Sequence, residues 1–371
     1  MLSKLGRSIW KFAAVGMVMT MVAVVDAGGA TVKPATSIAA YPDGRPVARY
    51  RLDAEDEGPV LRHGSGPGGC DDLGARDVWV WESGGTYYMH YDGAGPRGWL
   101  ACLATSTNLH TWTRRGPALD LGAKGQDDSA SASYGVTFFD GKAWHMFYLG
   151  TPHTTPAPDY IPAFPYLTLK ARGASAAGPW TKQAGVVPFR PKPGTYYSVT
   201  ASPGHVLAHD GGYVMVFSAS TDQPIWRTLA LARTRDLDGP WEIDAKPMLP
   251  AAEQIENSSV YFDPESRTWW VFTNHVGLRD GLEYTDAIWV YWTKDFEHWN
   301  PDHKAVVLDS KNCRWSKHIV GLPSVVRRGN RLAIFYDGNA EATMPTGVKS
   351  HMNRDVGLAW LDLPLVTPPV H

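Results

Sequence analysis

The sequence is poor in charge. Charged residues make up 19% of its 371 positions, and 35 Lys and Arg against 37 Asp and Glu leave a formal net charge of −2. A protein that binds nucleic acid needs an excess of basic side chains to neutralise phosphate groups. The balance of charge therefore argues against DNA or RNA as a partner.

Cysteine is also scarce. The three cysteines are Cys70, Cys102 and Cys313, and their spacing fits none of the usual zinc sites, so no metal site is predicted from them. In an exported protein one disulfide can form, and Cys70–Cys102 is the favoured pair. Three buried thiols fit the sequence about as well, and both states stay open at this point.

Long hydrophobic runs are missing as well. The most apolar stretch, at 12–25, has about 14 residues, fewer than the ~20 that a transmembrane helix needs. Basic residues precede it and small residues at 27–30 follow it. This order is typical of a secretory signal peptide, so we expect cleavage after Ala27 or Ala30 and assign residues 1–27 to the signal. An uncleaved membrane anchor is the alternative.

Residues that favour strands and turns are abundant. The chain contains 16 Trp, 16 Tyr, 37 Gly and 28 Pro. Aromatic residues are enriched in strands, whereas Gly and Pro are enriched in turns. We therefore predict an all-β protein, and all-β chains of this length often form a single domain.

One hairpin pattern occurs five times. Each copy has a short apolar run, a turn and a second run rich in aromatic residues, which together predict a β-hairpin. The copies lie at 77–91, 135–148, 205–217, 259–272 and 324–336. A tryptophan ends each of the first four units and is expected to pack between sheets. These residues, which recur about every 60 positions, are Trp112, Trp180, Trp241 and Trp299.

A repeat of this length is typical of propeller blades. We predict a single five-bladed β-propeller over 47–371, preceded by a linker at 28–46. The fifth unit has a third strand at 356–361, and a strand at 47–52 is expected to complete it and close the ring. Residues 55–72 are expected to form a loop. A β-sandwich is the alternative, but it gives no reason for the repeat.

Carboxyl groups stand at the start of two of the predicted first strands, which line the channel of a propeller. Asp77 begins the first hairpin, and Glu256 precedes the fourth. Two carboxyl groups that face one pocket can cleave a glycosidic bond, one as acid and the other as base or nucleophile. An Asp before a strand is commonly a turn residue, but Asp77 leads into an apolar strand. A Glu beside Ile255 is costly to bury unless it is paired or used.

These motifs resemble those of the five-bladed propeller glycoside hydrolases. The types in question are the arabinanases and β-xylosidases of family 43, the invertases and levansucrases, and the neoagarooligosaccharide hydrolases of family 117. The likeness covers residues 70–365 and rests on Arg76-Asp77, on Gly-Thr-Tyr-Tyr at 85–88, on the repeated Asp-Leu-x-Gly-Pro-Trp ending and on Glu256. It implies that Asp77 is the general base or nucleophile and Glu256 the general acid.

The sequence departs from that pattern in two places. Ser258 stands where several of these families have proline. Tyr134 or Gly135 stands where a second-blade Asp tunes the pKa of the acid. Asp128 and Asp286 are the candidates to replace that Asp, although Asp128 could equally be a solvated loop acid.

Further roles are implied by the resemblance. His318, just before the fifth hairpin, is the candidate for a histidine that some relatives use as an acid or to hold an ion. The residues expected to contact substrate are Arg76, Trp79, Tyr134, His318 and Ser258. No cofactor is required, and the resemblance allows a structural Ca²⁺ in the channel.

The function expected is that of a glycoside hydrolase. It would be secreted or periplasmic, monomeric and free of the membrane after signal cleavage. It would cleave terminal sugars, furanosides among them, from plant or algal oligo- or polysaccharides. One alternative is a non-catalytic carbohydrate-binding propeller, which the missing second-blade Asp favours. The other is a glycoside phosphorylase of similar fold, which would bind phosphate through Arg76, Arg97 and Arg227.

Overall fold

The computed structural model describes residues 28–36, 38–279, 282–341, 343 and 347–368. The predicted signal peptide at 1–27 lies outside them. Regular structure in the described ranges consists of 22 strands and three 3₁₀ turns, at Pro67–Gly69, Ala251–Glu253 and Gly347–His351. No helix in this part of the chain has the length and apolar character to cross a bilayer.

The strands of the described residues form five four-stranded antiparallel sheets. Three strands precede the first sheet: β1 (Lys33–Pro34), β2 (Tyr50–Arg51) and β3 (Glu55–Leu61). Sheet 1 contains β4 (Gly74–Ser83), β5 (Thr86–Gly95), β6 (Gly98–Ser106) and β7 (Thr113–Pro117). Sheet 2 contains β8 (Ser131–Phe139), β9 (Trp144–Thr151), β10 (Leu167–Gly173) and β11 (Trp180–Lys182).

The remaining three sheets follow in chain order. Sheet 3 contains β12 (Thr200–His209), β13 (Gly212–Ser220), β14 (Arg227–Thr234) and β15 (Glu242–Ile243). Sheet 4 contains β16 (Ile255–Asp263), β17 (Thr268–Arg279), β18 (Leu282–Thr293) and β19 (Lys304–Asp309). Sheet 5 contains β20 (Val320–Arg328), β21 (Arg331–Gly338), β22 (Asp355–Asp362) and β3.

The first strands of the sheets surround a common axis. β4 contacts β8, β8 contacts β12, β12 contacts β16, β16 contacts β20, and β20 contacts β4 again. Each first strand is followed by its hairpin partner, and the five hairpins coincide with the five predicted from the sequence. The closed cycle is that of a β-propeller, as predicted.

Sheet 5 is completed by β3 and not by the predicted strand at 47–52. β3 lies in the segment predicted to be a loop and pairs antiparallel with β22. An outer edge strand is buried on one side only and carries charged residues on the side toward solvent. The sequence of β3, Glu-Asp-Glu-Gly-Pro-Val-Leu, therefore does not show the apolar pattern of a strand. Asp56, on the buried side, accepts a hydrogen bond from the Tyr336 hydroxyl.

The segments before β3 pack on the propeller as well. β2, within 47–52, pairs in parallel with β19 of sheet 4 and antiparallel with β1. Residues 28–46, predicted to be a linker, contain β1 and the buried side chain of Arg45, whose guanidinium lies 2.9 Å from the Asp286 carboxylate. This segment is therefore held against sheet 4.

The tryptophans that end the repeated units pack between neighbouring sheets, as predicted. Trp112 of sheet 1 meets Phe335 of sheet 5 edge to face, with ring centres 5.6 Å apart. Trp241 of sheet 3 meets Phe147 of sheet 2 in the same way at 5.5 Å. Trp180 of sheet 2 lies likewise against sheet 1. Each ring adds apolar burial and aromatic contacts that join one sheet to the one before it.

The first strand of every sheet carries a β-bulge at the same place. The shift in pairing follows Arg76, Ser133, Ser202, Glu256 and Gly321. The next residue has a left-handed backbone in four sheets, with φ of +52° at Asp77, +44° at Tyr134, +57° at Asn257 and +27° at Leu322. Bulges redirect side chains and are common beside active sites. In sheets 1 to 4 bulge residues line one central cavity.

Backbone amides of the bulges in sheets 1, 2 and 4 donate hydrogen bonds to side chains of the preceding sheet. The backbone amide of Asp77 donates to the Asp337 carboxylate of sheet 5 at 2.9 Å. The amide of Tyr134 donates to the Asp92 carboxyl of sheet 1. An equivalent bond joins sheet 4 to sheet 3. Side chains at the ends of the second strands therefore fix the bulges in space.

The three cysteines are buried thiols. The Cys102 thiol donates a weak hydrogen bond to the carbonyl oxygen of Cys70, at 3.6 Å. Of the two states that the sequence leaves open, the structure therefore contains the reduced one.

Candidate active site

The bulge residues surround a cavity with a volume of about 310 Å³. The segment between β9 and β10 and the residues just before β22 complete its wall. Four residues of the predicted site line this cavity, namely Arg76, Asp77, Tyr134 and Glu256. The ring of sheets thus brings together two carboxyl groups that are far apart in the sequence.

Asp77 is held from two sides. Its carboxylate accepts a hydrogen bond from Nε of Arg76 at 2.8 Å, and its amide is bound by Asp337. Burial raises the pKa of Asp77 and the Arg76 guanidinium opposes that change, while nearby Asp337 raises the pKa further. Asp77 is therefore a half-buried carboxyl group whose pKa lies above the usual range.

Glu256 occupies the first bulge position of sheet 4, the place that Arg76 has in sheet 1. One carboxylate oxygen lies 2.7 Å from Nη1 of Arg227, and the other accepts a bond from the Asn274 amide at 3.3 Å. Burial raises the pKa of Glu256 despite the Arg227 guanidinium, and the charge of Asp77 adds to the rise. A carboxyl group with a raised pKa can hold the proton that an acid catalyst must donate.

Tyr134 occupies the bulge position in sheet 2 that Asp77 has in sheet 1. Its side chain is buried, and its hydroxyl has no hydrogen-bond partner among the described residues. Burial raises the pKa of this hydroxyl well above its ordinary value, so it stays protonated. Because a buried polar group is rarely left unpaired, the Tyr134 hydroxyl is available to a ligand in the cavity.

One wall of the cavity is apolar. Trp99 of β6 faces the segment between β9 and β10, which contributes Ile161, Pro162, Phe164 and Tyr166. Flat rings and aliphatic carbons suit the faces of sugar rings, while the polar wall opposite can bond hydroxyl groups. The cavity is therefore suited to a small polyol with an apolar face.

Several polar residues of the cavity were not predicted from the sequence. They are Asp92, Glu283, His351 and Arg354, while Arg227 was considered only as a phosphate ligand. The search for catalytic carboxyl groups concentrated on the starts of first strands, whereas these residues lie on later strands and on the turn before β22. One signal was present: Tyr-Asp-Gly recurs near the end of β5, at 91–93, and at the end of β21, at 336–338.

Asp128, predicted as a possible third carboxyl group, does not line the cavity. It is buried elsewhere in sheet 2, where it accepts hydrogen bonds from the Tyr148 hydroxyl at 2.8 Å and from the Lys182 ammonium at 2.6 Å. These contacts give Asp128 a structural role and place it away from Asp77 and Glu256.

Asp286 does not line the cavity either. Its neighbours Tyr284 and Thr285 do, but the Asp286 carboxylate bonds Arg45 at 2.9 Å and the His275 ring at 3.0 Å. Burial would raise the pKa of Asp286, but the bonds from His275 and Arg45 outweigh it and lower the pKa. Asp286 therefore anchors the segment before β2 to sheet 4.

Three predicted substrate contacts also lie outside the cavity lining. The Trp79 indole is buried and donates to the Thr137 hydroxyl at 3.0 Å. The Ser258 hydroxyl is buried and donates to the carbonyl of Val216 at 2.6 Å, joining sheets 4 and 3. His318 is half-buried in the segment before β20.

A structural Ca²⁺ in the channel stays a prediction. Calcium takes six to eight oxygen ligands. Next to the cavity the channel holds Trp79 and His205, which pack edge to face at 4.9 Å, and Nδ1 of His205 accepts the Val260 amide. In the described ranges, the one group of His, Cys, Asp and Glu that could share an ion is peripheral and consists of His209, Asp210 and Glu297.

Comparisons with known proteins bear on the fold. No protein-family model matches the sequence, and no curated protein matches it. Among solved structures, one described simply as a glycoside hydrolase gives a TM-score of 0.58 at 14% identity over 86% of this chain and 95% of that one. A family 117 glycoside hydrolase from the marine bacterium Zobellia galactanivorans gives 0.55 at 15% identity over 84% and 90%.

A third structure is the catalytic domain of a GH62 α-L-arabinofuranosidase from Coprinopsis cinerea. It gives a TM-score of 0.57 at 12% identity, over 83% of this chain and 96% of that one. This chain has the fold of the β-propeller glycoside hydrolases. The resemblance seen in the sequence is thereby confirmed at the level of the fold.

Proposed function

We propose that this protein is a glycoside hydrolase that removes terminal sugars from oligo- or polysaccharides. The observation that carries the proposal is the presence of two half-buried carboxyl groups, Asp77 and Glu256, in one cavity, both with a raised pKa. A pair of carboxyl groups of this kind is the catalytic equipment of most glycoside hydrolases.

The roles of the two groups follow from their surroundings. Glu256 donates a proton to the oxygen of the departing sugar, and Asp77 acts as the base or the nucleophile. Arg76 keeps Asp77 available as an anion because its guanidinium lowers the pKa that burial raises. Arg227 orients the Glu256 carboxyl group through the contact at 2.7 Å.

The size of the cavity favours a terminal sugar over a long chain. Ligand sites usually have volumes of roughly 300–1,000 Å³, and the cavity at about 310 Å³ lies at the small end of that range. Trp99 and Phe164 provide the apolar wall for a sugar ring. The fold that the chain shares with an α-L-arabinofuranosidase supports a furanoside as one candidate.

The setting of the activity is also part of the proposal. We infer an exported protein, secreted or periplasmic, that acts as a monomer on plant or algal glycans. The basic, apolar and small-residue segments at 1–30 support export.

The proposal is tested with purified protein and a panel of substrates. Aryl glycosides and red-algal, arabinan and fructan oligosaccharides are incubated with the protein, and released sugars are separated and quantified. We expect release of a monosaccharide from at least one substrate, with no release by the Asp77→Asn variant. Absence of turnover on every substrate would contradict the proposal.

A non-catalytic carbohydrate-binding protein is the second candidate. The observation that favours it is Tyr134, which stands where the related hydrolases carry an Asp. Calorimetric binding of a sugar that the protein never cleaves would identify this function. The phosphorylase alternative loses support because Arg97 lies outside the cavity lining, and Arg76 and Arg227 each bond a carboxylate.

A further inference from the structure

Asp92 lies in the cavity beside Asp77 and has no place in the chemistry described so far. It lies near the end of β5, directly opposite Arg76 in the pairing of β4 with β5. Its side chain is buried, it accepts the Tyr134 amide, and it lines the same cavity as Asp77, where a hydrogen bond between the two carboxyl groups would raise its pKa. Two carboxyl groups can share a hydrogen bond only if one of them carries a proton.

Asp337 holds the corresponding position in sheet 5 and makes an informative comparison. Both residues follow a Tyr and precede a Gly, and both accept the bulge amide of the next sheet. Asp337, however, also bonds Nη1 of the buried Arg354 at 2.8 Å. A buried carboxylate with such a partner can remain ionised.

Asp92 has no equivalent cation. Among the described residues no Lys, Arg or His makes an ion pair with it, and the nearby Arg76 bonds Asp77 and His351 instead. The other titratable groups that face it are Cys102 of β6 and Tyr134 of β8. Burial and the charge of Asp77 raise the pKa of Asp92, against opposing effects of the Tyr134 amide and the Arg76 guanidinium. Asp77 has an ion pair with Arg76 whereas Asp92 has none among the described residues, and this difference favours Asp92 as the residue that carries the proton.

We infer that Asp77 and Asp92 act as a dyad that shares one proton, with Asp92 as the positioning residue for the base. Asp92 donates its proton to one oxygen of the Asp77 carboxylate and so leaves the second oxygen directed at the cavity. Paired carboxyl groups that share a proton are known to hold and activate water. This inference rests on the proposed hydrolase function and specifies Asp77 as a base toward water.

In this arrangement every proton and bond of the hydrolytic step is accounted for. The free oxygen of Asp77 takes a proton from a water molecule, and the water oxygen bonds to the anomeric carbon. The bond from that carbon to the departing oxygen breaks, and Glu256 gives its proton to that oxygen. The proton gained at Asp77 and the one lost at Glu256 then exchange with solvent.

The dyad also accounts for the departure at Tyr134. The position that carries a carboxyl group in the second blade of related hydrolases is occupied here by Tyr134, whose amide bonds Asp92. A second carboxyl group therefore reaches the cavity from sheet 1 in place of sheet 2.

The shared proton can be tested without any substrate. Infrared spectra of protein labelled with ¹³C at the aspartate carboxyl carbons separate the carbonyl band of protonated Asp from all Glu bands. We expect such a band at pH 7 in the wild-type protein and its loss in Asp92→Asn. The Asp128→Asn variant, which removes a buried Asp outside the cavity, should keep the band. Absence of the band from the wild type, or its persistence in Asp92→Asn, would overturn the inference.

Kinetics on a cleaved substrate provide a second readout. Asn at position 92 keeps the acceptor for the Tyr134 amide and donates to Asp77 as a protonated Asp does, so Asp92→Asn should retain kcat within a few-fold. Asp92→Ala removes the donor and should lower kcat about 100-fold, with the acidic limb of the pH profile moved to higher pH and KM little changed. Equal losses in the two variants would overturn the inference. Absence of turnover in the wild type would count against the proposed hydrolase alone.

Discussion

In and beside the cavity, three carboxyl groups are each paired with a guanidinium group, whereas Asp92 has no such partner among the described residues. In each pair a carboxylate lies in contact with a guanidinium group, and the two opposite charges are removed from water together. The pairs are Asp77 with Arg76, Glu256 with Arg227, and Asp337 with Arg354. Because burial raises the pKa of Asp77 and Glu256 while their partners lower it, small changes at the arginines are expected to change catalysis.

Replacing Asp77 by Asn should abolish turnover and keep binding. The amide has the same shape and keeps the backbone bond to Asp337, but it cannot accept a proton. We expect kcat to fall by about 10³-fold or more, with sugar affinity by calorimetry within a few-fold of wild type. The control is Asp140→Asn in an exposed hairpin turn, which should retain full activity. Turnover by Asp77→Asn close to that of the control would remove Asp77 from the mechanism.

The loss of kcat caused by replacing Glu256 with Gln should depend on the leaving group of the substrate. An acid catalyst matters most when the departing oxygen is basic, as in an oligosaccharide. We expect a loss of about 10³-fold on the oligosaccharide but only about 10-fold on an aryl glycoside with an acidic phenol. Measured kcat values for both substrates give the comparison, and equal losses on the two would argue against Glu256 as the acid.

At the scale of strands, the repeated bulge explains which cavity residues can be predicted from the sequence and which cannot. Residues at the start of a first strand reach the cavity, which is why Asp77 and Glu256 could be placed there from the hairpin pattern. Asp128 precedes β8 and does not reach the cavity, because its carboxylate binds Lys182. Asp286 lies at a bulge between β17 and β18, but its carboxylate binds Arg45 and His275 outside the cavity lining. Asp92 was not predicted because it lies near the end of a second strand. Whether a side chain there is buried depends on how the neighbouring sheet packs, which the local sequence does not show.

The outer strands were the hardest part of the fold to predict. β3 is short, acidic and half-exposed, so its pattern is that of a loop, whereas the apolar residues at 47–52 suggested the closing strand. Which of the two segments completes sheet 5 is decided by their pairing partners, β22 for β3 and β19 for β2. These partners are about 250 or more positions away in the sequence. Hydrophobic period alone does not contain that information.

The anchor between Arg45 and Asp286 should make stability depend on pH. The pKa of Asp286 is lowered in the folded protein, so its contribution is present above the unfolded value of about 3.9 and is lost as pH falls through the folded value. We expect Asp286→Asn to lower the free energy of unfolding by about 2 kcal/mol at pH 7, and the difference from wild type to shrink below pH 4. Urea unfolding at several pH values measures it.

A matched control for this anchor is Asp120→Asn. Asp120 bonds Arg97 on an exposed surface, where ion pairs contribute little, so this variant should unfold like wild type at every pH. A constant difference between Asp286→Asn and wild type from pH 7 to pH 3 would contradict the role assigned to the carboxylate.

At the scale of the whole molecule, the ring is closed by strands from distant parts of the chain. β3 covers the outer edge of β22, and without it sheet 5 would present unpaired backbone groups to other chains. β1, β2 and Arg45 add contacts to sheet 4, and Ala30, just before β1, donates a backbone hydrogen bond to the carbonyl of Asp362 at the end of β22. The longer pairing with β22 belongs to β3, so the two N-terminal segments are expected to have different roles.

Shortened chains distinguish these roles. A chain that starts at residue 53 keeps β3 and should unfold cooperatively, with a Tm lower than that of a chain starting at 28. A chain that starts at 63 lacks β3 and should aggregate or lose cooperative unfolding. Calorimetry and size-exclusion chromatography provide the measurements, and similar behaviour of the two shorter chains would show that β3 is dispensable for closure.

The junction of sheets 5 and 1 has a consequence for biosynthesis. The amide of Asp77 is fixed by Asp337, and Arg76 contacts His351, so the base and its surroundings come from chain segments separated by about 260 residues. A ribosome must translate nearly the whole propeller before these groups can meet. If Asp77 is the base as proposed, incomplete translation products lack a working base, and the onset of the proposed sugar cleavage during refolding should report when the last junction has formed.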